Sequence, residues 1–125
     1  MNIVDTSGWL EYFFDGPNAS YFSQPIEDTA NLIVPVVCLY EVFKKIIQVS
    51  DKVKALQAVA QMKQGHVINL DEEIALSAAL ISVQNKLPMA DSFIYATAQL
   101  EGAIVWTQDS DFKGFLNVNY KEASK

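Results

Sequence analysis

The chain contains no arginine, so all nine of its basic residues are lysines. It therefore lacks the planar guanidinium fork that often grips phosphates and carboxylates through two parallel hydrogen bonds. Cysteine and histidine occur once each, as Cys38 and His66. A single cysteine excludes an internal disulfide, and the two residues together are too few for a structural zinc site. Long apolar runs are also missing; none approaches the ~20 residues that a membrane-spanning helix requires. The opening Met1-Asn2-Ile3-Val4-Asp5 has neither the basic start nor the apolar stretch of a secretory leader. The expected location is the cytoplasm. There is no internal repeat, low-complexity tract or linker, and residues 1–125 are expected to form one domain.

Half of the residues are hydrophobic and 19% are charged, the composition of a folded globular chain. The net charge is −6, which argues against a simple basic surface for nucleic acid. Either the substrate is not a polyanion, or bound cations reverse the local sign. Cys38 lies in an apolar run and reads as a buried, inert thiol. Any metal must then be held mainly by oxygen, which points to magnesium or manganese.

Short apolar runs alternate with helical patterns. Strands are expected at Asn2 to Asp5, Leu32 to Val36, His66 to Leu70 and Ala103 to Trp106, with a final edge strand at Asn117 to Tyr120. Ser7 to Phe14 reads as a helix capped by Thr6 or Ser7. Gly16-Pro17-Asn18 interrupts the chain before a helical segment from Tyr21 to Thr29 that contains Pro25. Val37 to Val49 carries an apolar stripe of Leu39, Val42, Phe43, Ile46 and Ile47. Asp51 to Lys63, begun by Ser50 or Asp51, is another helix. Asp71 to Leu87 is a long one whose apolar face is expected to include Leu76, Leu80, Val83 and Leu87. Pro88 ends it, Asp91 opens the next helix, which runs to Leu100, and Gly102 stops that one. Thr107 to Phe112 reads as a turn. The alternation indicates an α/β domain of three layers, α/β/α, with a mainly parallel central sheet.

In open α/β sheets, sites form beyond the carboxyl ends of the strands. Four acids fall at such places. Asp5 ends the first strand, Glu41 lies about a turn into the helix after the second, Asp91 opens a helix, and Asp109 follows the fourth strand. Each also has an ordinary explanation. Asp91 and Asp109 suit a helix cap and a turn, and Glu41 suits a solvated pair with Lys45 at i+4. Asp5 is the firmest of the four, because a charge at the end of a central strand is poorly hydrated without a partner. Carboxylates crowded together repel one another, and a divalent ion relieves that repulsion. It also lowers the pKa of bound water and orients a phosphate. An acidic cluster without histidine therefore suits phosphodiester hydrolysis.

Four segments resemble the motifs of PIN-domain ribonucleases. They are Asp5-Thr6-Ser7-Gly8-Trp9-Leu10, the run from Val34 to Val42 around Glu41, the run from Ala90 to Ala98 around Asp91, and Thr107-Gln108-Asp109-Ser110-Asp111-Phe112. They occur in the family's order and span essentially the whole chain. The nearest branch resembles the VapC-type toxins of prokaryotic toxin–antitoxin pairs. The resemblance implies cleavage of RNA to 5′-phosphate and 3′-hydroxyl ends, with Mg2+ or Mn2+ held by Asp5, Glu41, Asp91 and Asp109. It also implies that Thr107 or Thr6 orients an acid or a water, a homodimer, and an antitoxin protein as partner. Asp111 is a further candidate ligand through water, beside its ordinary role of holding the turn before Phe112.

Lysines near these motifs include Lys44, Lys45, Lys86 and Lys113; Lys45 and Lys86 are the candidate contacts to substrate phosphates. Trp9, Tyr12, Phe13 and Phe14 read as core or dimer-surface aromatics before a base-stacking platform. Tyr40, beside Glu41, faces either the pocket or the core. Two other functions fit parts of the pattern. One is a catalytically silent PIN scaffold that binds RNA or protein. The other is a receiver-type phosphoacceptor domain, although neither Leu32 to Val36 nor His66 to Leu70 ends in the pattern that such a domain needs.

Overall fold

A computed structural model describes residues 1–124. Five strands form one parallel sheet: β1 (Asn2–Val4), β2 (Leu32–Pro35), β3 (His66–Ile68), β4 (Ile104–Thr107) and β5 (Val118–Tyr120). Their order is β3-β2-β1-β4-β5. The chain first builds outward from β1 through β2 to β3, then returns to lay β4 on the other side of β1. The switch in direction lies between β1 and β4, and the crevice beyond the carboxyl ends of such strands is where ligands bind in open sheets. Receiver domains use the order 2-1-3-4-5 instead, so this connectivity is not theirs.

Among the described residues six helices flank the sheet: α1 (Thr6–Phe13), α2 (Ala19–Glu27), α3 (Val36–Val49), α4 (Lys52–Met62), α5 (Glu72–Asn85) and α6 (Met89–Glu101). They pack as the consecutive pairs α1–α2, α3–α4 and α5–α6. The β1 and β2 residues Ile3, Val4, Leu32, Ile33 and Val34 are buried, as a sheet covered on both faces requires. No helix among the described residues is long and apolar enough to cross a membrane.

Several local expectations change. Helix α1 is capped by Asp5, not by Thr6 or Ser7; the Asp5 carboxylate accepts from the Gly8 amide at 3.0 Å. Asp5 keeps the extended backbone of the strand end, which is the geometry of an N-cap. Gly8 lets α1 pack closely on the core, because a Cβ there would sit 2.6 Å from the Val4 side chain and 2.7 Å from the Phe22 ring. Helix α6 begins at Met89 after Pro88, so Asp91 lies within the first turn and does not open it. Helix α2 begins at Ala19, earlier than expected, and carries Pro25 inside it. Proline cannot donate to the carbonyl four residues back, and the Gln24 side-chain amide donates to that Tyr21 carbonyl at 3.3 Å instead.

The largest correction concerns α5. Its buried residues are Ile74, Ala78 and Ile81, joined by Leu87 just beyond its end. Leu76, Leu80 and Val83 are 63%, 65% and 81% exposed. The helix is apolar on nearly all sides, so helical spacing offers two equivalent stripes. Packing against α6 selects the one with the smaller Ala78. On α3, Val42 and Ile46 of the expected stripe are buried with Cys38, while Ile47 is 40% exposed.

Candidate metal centre

The site lies at the carboxyl ends of β1 and β4. Asp5 follows β1 directly and is 2% exposed. Its amide donates to the Trp106 carbonyl of β4 at 3.1 Å, which ties the acid to the neighbouring strand. Three donors converge on its carboxylate. The Ser7 hydroxyl reaches Oδ1 at 2.7 Å, the Gly8 amide reaches the same oxygen at 3.0 Å, and the Thr107 hydroxyl reaches Oδ2 at 2.8 Å. Thr107 is fully buried and in turn accepts from the Asp109 amide at 2.9 Å. One hydroxyl thus aligns two of the acids. Asp109 caps the short 3-10 turn Ser110–Phe112, accepting from the Asp111 amide at 2.9 Å.

Asp91 reaches the same place from the first turn of α6. One carboxylate oxygen each from Asp5, Asp91 and Asp109 lie within 4.8 Å of one another. Such crowding is costly without a cation. Burial pushes the Asp5 carboxyl up to about 6, against the pull of its three hydrogen bonds and with a push from Asp109. Burial, then the charges of Asp109, Asp5, Asp111 and Glu41, push Asp91 up to about 7. Three hard oxygens and no nitrogen or sulfur fit a magnesium- or manganese-type ion, which takes carboxylate oxygens and keeps some of its waters.

Glu41 stands outside this trio. It lies on the second turn of α3 and accepts a short hydrogen bond from the Thr6 hydroxyl. Its charge nonetheless contributes to raising Asp91. Thr6 and Thr107 therefore divide the supporting work, Thr6 on Glu41 and Thr107 on Asp5. Asp111 is exposed, and its charge also acts on Asp91. Lys45 lines a groove with Thr6 and Glu41. Lys86 ends α5 in a left-handed conformation at φ 55°, which explains its position by the turn. Cys38 is buried as expected; its thiol lies 3.8 Å from the Val4 carbonyl, and burial pushes its pKa well up.

Ser7 is the site residue whose place beside the acids sequence reasoning passed over. It holds Asp5 and accepts from the Gln108 amide at 3.3 Å, linking the β1 and β4 ends. The available signal was its place two residues after a strand-end aspartate, within hydroxyl reach. The aromatics of α1 divide. Trp9 is fully buried and stacks on Phe13 at 5.6 Å, while Phe14 is 48% exposed.

The chain belongs to the PIN domain family, whose model matches residues 3–115. Among curated proteins no sequence match was found. Solved structures share the fold over nearly the full length. A toxin–antitoxin complex from Klebsiella pneumoniae is 22% identical, covers 98% of this chain and 99% of its own, and has a TM-score of 0.79. Mycobacterium tuberculosis VapC20, a toxin that cleaves the sarcin-ricin loop, is 16% identical over 94% of this chain and 98% of its own, with a TM-score of 0.75. VapBC2 from Rickettsia felis, bound to a DNA fragment from its promoter, is 11% identical over 97% of both chains, with a TM-score of 0.74.

Proposed function

We propose that this chain is a divalent-metal-dependent endoribonuclease and the toxin of a toxin–antitoxin pair. The observation that carries the reading is the convergence of Asp5, Asp91 and Asp109, with carboxylate oxygens within 4.8 Å of one another at the β1/β4 switch point. A bound Mg2+ or Mn2+ would supply Lewis acidity toward the phosphate and lower the pKa of attacking water. The chain's own part is to hold the oxygens still. Ser7, Gly8 and Thr107 fix both oxygens of Asp5, and the Asp109 amide on Thr107 fixes the loop that brings the third acid. Glu41, held by Thr6, stands at a groove that Lys45 also lines; Lys45 there, and Lys86 at the end of α5, are the proposed phosphate contacts. Asp111 acts at longer range through water.

The solved relatives described as toxin–antitoxin complexes support an antitoxin protein as partner. The exposed Leu76, Leu80 and Val83 of α5 support a second copy of the chain as another. A Leu80→Lys variant is expected to shift the chain toward monomer in sedimentation, while a substitution of exposed Glu72 leaves assembly unchanged.

The deciding experiment is cleavage of single-stranded and structured RNAs with Mn2+, with EDTA and Asp5→Asn as controls. Cleavage abolished by both supports the reading. Cleavage that survives both points to a contaminant and removes its support. RNA binding without cleavage under any metal would favour a silent scaffold.

A further inference from the structure

The protein carries a net charge of −6, so the placement of its few cations decides how a polyanion could approach the acids. Helix α3 enters the site at Glu41. The preceding residue, Tyr40, is 63% exposed. Lys44 lies one helical turn further on, with its Nζ 5.7 Å from the Tyr40 ring centroid, within the range of a cation–π contact. Tyr40, Lys44 and Lys45 line a single groove of about 250 Å³ together with Thr6 and Glu41. Thr6 follows Asp5 in the chain and holds Glu41, so the groove lies beside the acidic cluster. A second such pairing lies further along the sheet edge, at the end of β5. Lys113 places its Nζ 5.9 Å from the ring of Tyr120, and Tyr120 is the register partner of Thr107 at the carboxyl end of β4. A lysine–tyrosine pair thus stands on each side of the acids across the strand order β2-β1-β4-β5.

We infer that a single-stranded stretch of RNA crosses the carboxyl edge of the sheet here, with one base stacked on the open face of Tyr40 and its flanking phosphates against Lys44 and Lys45. The inference rests on the ribonuclease reading and names Tyr40, Lys44 and Lys45 as the residues that hold the substrate beside the acids. Bases of a single strand are free to stack on an exposed ring, whereas a duplex keeps them paired. Aromatic stacking tolerates any base, so this ring selects strandedness and leaves sequence choice to other residues. The two ammonium groups supply attraction beside carboxylates that would otherwise repel the backbone. Lysine suits this, since it meets phosphate as a point charge and needs no fork.

The test uses the full chain carrying Asp5→Asn with Mn2+, and measures binding of a labelled single-stranded oligonucleotide and of a blunt-ended two-strand duplex over a range of salt. Tyr40→Ala is expected to weaken single-strand binding roughly tenfold and leave the duplex unchanged, while Tyr40→Phe binds as the parent does. Lys44→Gln with Lys45→Gln is expected to reduce the slope of log Kd against log salt by about 1.4, near 0.7 for each phosphate deprived of its ammonium partner. In the chain with Asp5 intact, Tyr40→Ala is expected to raise KM and leave kcat unchanged. Tyr40 is exposed, so these variants should melt with the parent. Unchanged single-strand binding in Tyr40→Ala overturns the inference. So does equal weakening of both RNAs, a Tyr40→Phe defect as large as that of alanine, or a parent that binds no RNA. Normal cleavage with no Tyr40 dependence sinks this inference and spares the ribonuclease reading. Tyr40-dependent binding in a chain that never cleaves does the reverse.

Discussion

The two sides of the acidic edge are built to different standards. On the β1/β4 side, Asp5 is buried and both of its oxygens are held by three donors from Ser7, Gly8 and Thr107. On the α3 side, Glu41 is half-buried, lies outside the tight trio and takes a hydrogen bond from Thr6 at the mouth of a groove. In the proposed function the first arrangement fixes a metal ligand before any ion arrives, so little ordering entropy remains to be lost on binding. The second leaves a side chain free to adjust to whatever occupies the groove. The contrast separates a rigid anchor from an adaptable rim, and it can be tested from either side.

The largest effect is expected at the anchor. Asp5→Asn should abolish metal-dependent cleavage while the fold persists, as judged by circular dichroism and by cleavage assays with excess Mn2+. Thr107→Val removes the hydroxyl that serves both Asp5 and Asp109. By comparison with other groups that orient metal ligands, it should cost about 10–100-fold in metal affinity or activity. Calorimetric titration with Mn2+ would measure this, and an undiminished affinity would show that Asp5 needs no alignment. Glu41→Gln should cost less than Thr107→Val in Mn2+ affinity, because Glu41 lies outside the trio. A larger loss would make the rim part of the anchor.

The smallest effect is on stability, and its sign is opposite to that of an ordinary ion-paired carboxylate. Asp5 and Asp91 have folded pKa values raised from 3.8 to about 6 and about 7. The metal-free fold therefore binds more protons than the unfolded chain between those values. Their contribution is present in full below about pH 4 and is lost as pH rises through 6 and 7. For fully buried Asp5 the loss is about 2–3 kcal/mol by linkage. Melting temperatures of the metal-free chain should fall across this range relative to Asp5→Asn, and Mn2+ should reverse the fall. Parallel pH profiles for the two chains would show that Asp5 carries no burial penalty.

Much of this edge is legible in the sequence, for reasons tied to particular residues. A strand of Ile3-Val4 ending in Asp5 leaves a charge where water is scarce, and that signal survives without a fold. Asp91 and Asp109 need their motif context, since a first-turn acid and a turn acid are common. Ser7 is legible only as a hydroxyl two residues after a strand-end acid; its link to the β4 end appears only when the fold brings Gln108 to it. The faces of α5 are ambiguous for a related reason. Ile74-Ala78-Ile81 and Leu76-Leu80-Val83 obey the same period, and the neighbouring helix decides which is buried.

What the sequence by itself determined is the alternation of strands and helices and the single buried thiol, which follow from residue type and spacing acting locally. The four acidic motifs and their order were legible through the resemblance to PIN-domain ribonucleases, beyond what spacing alone gives. Tertiary structure alone decided that three of the acids meet within 4.8 Å while Glu41 stays at the rim. It also decided, through the packing of α5 on α6, which stripe of α5 faces solvent. The meeting of Asp5 with Asp109 depends on β4 lying beside β1, although most of the chain separates the two strands, and local spacing carries no information about that pairing.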